Sequence, residues 1–152
     1  MIRSACAVHF VALSVWVGGL AAIALVVAPV AFHVNRDLAG QVVGASLRVF
    51  GRVELVMAAI ALMTAFVCQS VGVWGGTVRW VRLAMLLLMT ALSLAYVAGV
   101  YPAIEKVRGR AEAKADFDRL HRRSVQLVGA NLLLGVVTIG LSAAAMKSPD
   151  GA

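Results

Sequence analysis

The chain alternates between long apolar stretches and short basic segments. Four stretches contain no Asp, Glu, Lys or Arg: Ser4–Asn35, Leu55–Val78, Leu83–Ile104 and Ser124–Met146. Each can cross a bilayer as a helix, which takes about 20 apolar residues. Hydrocarbon offers the backbone no hydrogen-bonding partner, so helices are expected. The pattern predicts an all-α, four-helix transmembrane bundle with spans at about 5–33, 54–76, 82–104 and 124–146.

Length and composition leave room for little besides this bundle. The chain has 152 residues, of which 62% are hydrophobic, and we expect a single four-span domain over residues 1–152. The first apolar stretch exceeds the 7–15 residues of a signal-peptide core, so it is expected to stay as a helix. Two cysteines occur, Cys6 and Cys68, and neither belongs to a CxxC motif. A disulfide between them and two buried free thiols are both open alternatives.

The distribution of basic residues predicts the topology. Four Lys and Arg residues fall on one side (Arg3, Arg79, Arg82 and Lys147) and ten on the other (Arg36, Arg48, Arg52, Lys106, Arg108, Arg110, Lys114, Arg119, Arg122 and Arg123). The positive-inside rule then places the loops 36–53 and 105–123 in the cytoplasm. Both termini are expected on the non-cytoplasmic side of the cell membrane, plasma or inner. Trp74 and Trp80 flank the short outer loop, a position typical of interfacial aromatics.

The two basic loops have a helical pattern. Asp37 is a candidate cap for the first loop, and Phe117 and Leu120 share a face in the second. Cationic amphipathic segments beside a membrane usually lie on anionic lipid headgroups, and docking of a membrane protein partner is the alternative. The chain has a net charge of +7, but its basic residues lie in the loops between the spans, so no nucleic-acid partner is expected. Gly72-x-x-x-Gly76 is a candidate association motif for a homo-oligomer.

The two halves of the chain resemble each other. Ala28-Pro29 corresponds to Tyr101-Pro102 at an offset of 73 residues, and the segments 48–52 and 119–123 correspond at an offset of 71. This repetition predicts two helical hairpins in the same orientation, related by an axis along the membrane normal.

Small and polar residues form stripes along two of the predicted helices. The fourth span carries His121, Ser124, Val128, Asn131, Gly135, Thr138 and Ser142, and the second carries Glu54, Ala58, Ala61, Ala65, Cys68 and Gly72. Such stripes usually face the bundle interior, so the two are predicted to meet or to line one central crevice. Interhelical hydrogen bonding and a substrate or ion path are alternative roles. Glu54 and His121 are a candidate pair at the inner ends of the stripes.

Candidate ligand-binding residues follow from these stripes. The binding candidates are Glu54, His121, Ser124, Asn131, His9 and Trp16, and the metal candidates are His33 and His121, both at the cytoplasmic ends of helices. His9 is expected near the opposite end, so it does not easily share a centre with His121. A metal ion and haem are the candidate cofactors. No nucleophile–base pair, phosphate loop or carboxylate dyad is present, so an enzyme is not favoured.

Several short motifs resemble a known family. They are Val8-His9, Leu13-Ser14, Trp16 and Gly18, then Pro29, Phe32, Ala39-Gly40-Gln-Val and Leu47, and finally Phe117-x-Arg119-Leu-His121-x-x-Ser124 with Asn131. In order and spacing the chain resembles the domain-of-unknown-function 4149 family, the transmembrane-protein-205-like proteins. The resemblance implies a small multi-pass membrane protein without an established activity. It departs at Arg48-Val49, where a Leu-Phe pair is expected.

The first helix has a second resemblance. His9, Trp16 and the nearby glycines are similar to the first helix of copper-resistance-D-like proteins and of a haem-binding protoporphyrinogen oxidase. The later His-containing motifs of that oxidase are not found.

Three functions follow as alternatives. The first is binding or transport of a metal ion, cofactor or small cation through the polar seam. The second is a non-catalytic accessory or scaffold subunit of a membrane complex, and the third is a haem-binding redox protein.

Overall fold

The computed structural model describes residues 2–70, 72–74 and 76–145, and long helices dominate this part of the chain. The α-helices are α1 (Ile2–Ala22), α2 (Ala28–Val34), α3 (Arg36–Ser70), α4 (Gly76–Leu94), α5 (Tyr101–Val107) and α6 (Lys114–Ala144). Two π-helical turns, Ile23–Val27 and Ala95–Val100, join α1 to α2 and α4 to α5. A 3-10 turn at Ala111–Ala113 precedes α6.

These helices form four long rods, which confirms the predicted all-α bundle. The first to fourth spans are Ser4–Val34, Leu38–Ser70, Gly76–Val107 and Lys114–Ala144, and each is long and apolar enough to cross a bilayer. The helices are longer than the predicted spans because the basic segments are continuous with the second and fourth rods rather than separate. Met146 and Lys147, which entered the sequence prediction, lie outside the described residues.

The start of α3 is capped by a different residue from the one expected. The side chain of Asn35 accepts a hydrogen bond from the Leu38 backbone N–H at 3.1 Å, as an N-cap residue does. The Asp37 side chain, the predicted cap, lies outside the described residues.

A tight turn connects α3 to α4. The Val73 N–H donates to the Cys68 carbonyl and the Gly72 N–H donates to the Gln69 carbonyl, both at 3.1 Å. These two bonds define a Schellman motif, in which the residue after the helix adopts a left-handed conformation. Gly72 has a φ of +73° and Gly76 a φ of +61°. Gly72 therefore ends a helix rather than lying on a helix surface, and the predicted association motif is not formed.

Both π turns precede a proline. Pro29 and Pro102 lie in the first turn of α2 and α5, and the Ala28 and Tyr101 N–H groups donate to carbonyls five residues earlier. A proline lacks an N–H and its ring crowds the preceding turn, so a wider turn relieves the clash. The turns occupy equivalent places in the two hairpins, as the predicted repeat requires.

The apolar core of the bundle is formed by side chains from all four spans. Helix α3 packs against α1, α2 and α4, whereas α6 packs against α1, α4 and α5. The α3 and α6 stripes therefore line one interior instead of forming a long mutual contact. Gly135 permits a close approach, because a Cβ there would lie 2.4 Å from Val17 Cγ2. Large apolar side chains such as Leu25, Leu133 and Val136 point outward, as expected for a lipid-facing surface.

Candidate functional site

All four spans contribute a side chain to one buried hydrogen-bonded group, which we call the central cluster: Trp16, Glu54, Ser93 and Asn131. Glu54 Oε1 accepts hydrogen bonds from Trp16 Nε1 at 2.7 Å, from Ser93 Oγ at 2.5 Å and from Asn131 Nδ2 at 2.7 Å. Asn131 Nδ2 also lies 2.7 Å from Ser93 Oγ. The hydrogen bonds of the central cluster therefore connect all four spans at one level along the bundle axis.

Glu54 is an acid buried without a counter-ion. It is 4% exposed, and the salt bridges found among the described residues do not include it. All three of its described donors belong to neutral side chains. A carboxylate in apolar surroundings is unfavourable unless it is paired or protonated. The neutral cluster therefore stabilises the carboxyl group by hydrogen bonds but does not cancel its charge.

A small cavity adjoins the central cluster. Its volume is about 10 Å³, and its lining includes Glu54, Ser93, Asn131 and Tyr96. That space holds roughly one water molecule. Asn131 Oδ1 is buried and has no hydrogen-bond partner. The cavity thus adjoins an acid and a residue with an unused acceptor.

A second buried group, the terminal cluster, lies at the end of the bundle that holds the α3–α4 turn: His9, Trp74, Arg82 and Ser142. Arg82 is 2% exposed. Its Nη2 lies 2.9 Å from His9 Nε2, and its Nε donates to Ser142 Oγ at 2.6 Å. Its guanidinium carbon lies 3.5 Å from the centre of the Trp74 ring, a cation–π contact.

The partners of His9 define its tautomer. Because a guanidinium only donates, His9 Nε2 must accept from Arg82. The proton of the neutral ring then resides on Nδ1, which lies 3.1 Å from the Ala61 carbonyl and from Thr64 Oγ1. Both ring nitrogens of His9 therefore have hydrogen-bond partners among the described residues.

The two cysteines meet beside the terminal cluster. Cys6 and Cys68 are buried free thiols, and their Sγ atoms lie 3.1 Å apart. The structure therefore has two buried free thiols at this place and not a disulfide.

We expect a mild oxidant such as diamide to join Cys6 to Cys68, because only a small approach is needed to reach disulfide distance. Two thiols would lose two protons and two electrons to the diamide and form one S–S bond. The chain has only two cysteines, so alkylation after denaturation should drop from two labels to none, and Cys6→Ser should keep its single label. Dimers linked between chains, with no internal bond, would contradict this geometry.

The end of the bundle opposite the terminal cluster carries the two basic segments, and we call it the basic end. The site residues predicted at this end do not join the central cluster. His121 is exposed and stacks on Phe117 at a ring distance of 6.1 Å, and His33 is exposed on α2. Ser124 is buried but lies outside the central cluster. Glu54 bonds to Asn131 instead of pairing with His121. Within the described part of the chain, no three His, Cys, Asp or Glu side chains are grouped as metal ligands.

Arg82 and Trp74 are the site residues that the sequence reasoning missed, whereas Ser93 was expected, with Thr90, as a polar residue of the third span. Arg82 was counted as a loop charge and Trp74 as an interfacial aromatic, but Trp74 is 1% exposed. One signal was available: Arg82 begins a stripe with Leu86, Met89, Ser93 and Tyr96 at alternating spacings of four and three. Arg82 also follows His9 by 73 residues, the offset that relates the two prolines.

The fold and site define a small helical integral membrane protein with a polar core inside a lipid-facing bundle. The chain belongs to the DUF4149 family, described as a domain of unknown function, whose model matches residues 11–113. This confirms the family seen in the sequence, although His9 and the motif from Phe117 to Asn131 lie outside the matched region. Comparison with curated proteins and with solved structures gave no significant match.

Proposed function

We propose that this protein is a proton-binding membrane module in which Glu54 gains and loses a proton inside the bundle. The observation that carries the proposal is a carboxyl group inside the bundle, held by a neutral donor from each of the other three spans and lacking a described cationic partner. A proton neutralises such a group without any further ligand. Intramembrane acids generally mark proton or ion pathways, which agrees with this role.

The size and polarity of the site favour a proton over a metal ion or an organic substrate. The adjoining cavity of about 10 Å³ admits roughly one water. A dehydrated metal ion would need several oxygen ligands, yet three donors already point at Glu54 Oε1. The unpartnered Asn131 Oδ1 can accept a hydrogen bond from one water molecule in this cavity.

Proton exchange is proposed to occur from the basic end. The central cavity shares Leu47 and Tyr96 with a larger cleft of about 340 Å³ that is lined by Arg36, Arg108 and His121. The excess of Lys and Arg supports a cytoplasmic position for the basic end, with the termini outside the plasma or inner membrane.

A difference titration of the full chain in lipid nanodiscs tests the proposal. Protons bound per chain are measured across pH for the wild type and for Glu54→Gln, and we expect the variant to lack one titrating group. Glu112→Gln removes an exposed carboxylate and is the matched control. The titrating group that is lost in Glu54→Gln should still be present in Glu112→Gln. A Glu54 difference curve that is flat over the folded range would contradict the proposal.

A further inference from the structure

A cleft at the basic end has an apolar part and a mouth that is lined by arginine side chains. Its apolar part, about 280 Å³, lies between the first and fourth spans and includes Ile23, Val125, Gly129 and Leu132. Its mouth, about 340 Å³, includes Arg36 and Arg108. The two parts share the lining residues Val43, Leu47, His121 and Ser124, so they adjoin each other, and we call them together the basic-end cleft.

Arg108 is held at the mouth by its surroundings. Its Nη2 donates to Glu105 at 3.0 Å, and the same nitrogen lies 2.8 Å from the point where a Cβ on Gly44 would stand. A Cβ on Gly44 would therefore require the end of the Arg108 side chain to shift. Arg108 Nε is buried and has no hydrogen-bond partner. The guanidinium therefore keeps an unused donor within a site that the backbone shapes.

We infer that the basic-end cleft binds a membrane lipid with an anionic phosphate headgroup, with an acyl chain in the apolar part and the phosphate at the mouth. Charge complementarity supports this occupant, because arginine pairs with phosphate through directed N–H donors. Basic pockets between transmembrane helices commonly hold anionic lipid headgroups. The lining of the apolar part is compatible with the acyl chain of a lipid, and such chains are already present in the bilayer. The observations that support the lipid do not depend on the proton proposed at Glu54, although both proposals use the same cleft.

The test uses the detergent-solubilised full chain with added phosphatidylglycerol. Native mass spectrometry gives the number of bound lipids, and the shift in thermal midpoint gives the affinity. We expect one saturable phosphatidylglycerol per chain, with phosphatidylcholine binding at least tenfold more weakly. Glycerol 3-phosphate has the phosphate but no chain and should produce no shift. An equal shift with glycerol 3-phosphate would overturn the proposed lipid.

Matched substitutions separate the cleft from general surface charge. Arg108→Gln should weaken phosphatidylglycerol binding at least tenfold, whereas Arg122→Gln, the same change at an exposed position outside the cleft lining, should alter it less than twofold. Gly44→Ala requires only the end of the Arg108 side chain to shift, so it should weaken binding less than Arg108→Gln does. Equal weakening by Arg108→Gln and Arg122→Gln would overturn the inference.

The apolar part is tested by filling it. A Cβ on Gly129, in the cleft, or on Gly140, further along α6, would meet no atom within 4 Å, so both glycines have room for a larger side chain. Gly129→Phe should block the acyl chain and abolish the lipid-induced shift, whereas Gly140→Phe should leave it unchanged. Midpoints without lipid verify that both variants fold. A full shift in folded Gly129→Phe would overturn the inference.

Discussion

Replacing Glu54 with leucine should destabilise the bundle more than any other single change at the central cluster. The substitution leaves Trp16 Nε1 and Ser93 Oγ without the acceptor they have in the wild type, and it removes one of the two acceptors of Asn131 Nδ2. A buried donor that loses its partner costs about 1–3 kcal/mol. Because several donors are affected, we expect a loss of at least about 2 kcal/mol in the free energy of unfolding, measured by denaturant titration in detergent.

Glutamine at the same position separates hydrogen bonding from charge. Glu54→Gln retains a side-chain oxygen that can accept from the three neighbours, so its loss of stability should be less than half that of Glu54→Leu. Glu112→Leu, at an exposed position, should be nearly neutral and controls for the change in composition. If Glu54→Leu were as stable as Glu54→Gln, the hydrogen bonds of the central cluster would not be holding the spans together.

The second large effect is expected at His9 and depends on whether Arg82 is present. His9→Leu leaves Arg82 Nη2 without its described acceptor inside the bundle. Hydrogen bonds to charged groups contribute about 1.5–3 kcal/mol, and a buried charged donor without a partner costs more than a neutral one. His9→Leu should therefore lower the free energy of unfolding by about 2 kcal/mol or more.

The double variant gives the sharper result. Arg82→Met removes the buried charge together with its unmet hydrogen-bonding requirement, so His9→Leu/Arg82→Met should be more stable than His9→Leu alone. Groups in direct contact show coupling energies of about 0.5–3 kcal/mol. His9→Leu combined with Arg119→Met, at an exposed position, should be additive. If the losses in the free energy of unfolding caused by His9→Leu and by Arg82→Met simply added in the double variant, the contact between His9 and Arg82 would contribute nothing to stability.

Hydrophobic patterning was sufficient to predict the four rods and the interior position of Glu54 and Asn131. Runs without charge locate helices in a membrane, and a spacing of three and four places residues on one helix face. A stripe on one helix does not specify which residues of another helix lie at the same level along the bundle axis. Because the basic segments were interpreted as loops, Glu54 was expected at the inner end of its span beside His121.

The structure corrects that pairing by simple helix geometry. Helices α3 and α6 both begin at the basic end, at Arg36 and Lys114. At 1.5 Å per residue, Glu54 lies about 27 Å along α3 and Asn131 about 26 Å along α6, whereas His121 lies only about 10 Å along α6. Glu54 and Asn131 therefore share a depth, and His121 does not. This comparison becomes possible only once the true starts of both helices are known.

Arg82 was missed for a related reason. Counting basic residues by side assumes that each of them faces water or headgroups. Arg82 instead points into the bundle, where His9, Ser142 and Trp74 surround its guanidinium. Neither charge counting nor helical spacing specifies such partners, because they come from three other segments of the chain.

Infrared difference spectroscopy of the full chain in lipid bilayers tests most directly whether Glu54 carries an exchangeable proton. Spectra recorded at two pH values report the C=O stretch of a protonated carboxyl group, and Glu54→Gln identifies its source. The proposed function predicts a protonated-carboxyl band that changes with pH in the wild type and in Glu112→Gln and is missing in Glu54→Gln. A band that persists in Glu54→Gln, or a wild type with no such band at any pH, would contradict the assignment of the proton to Glu54.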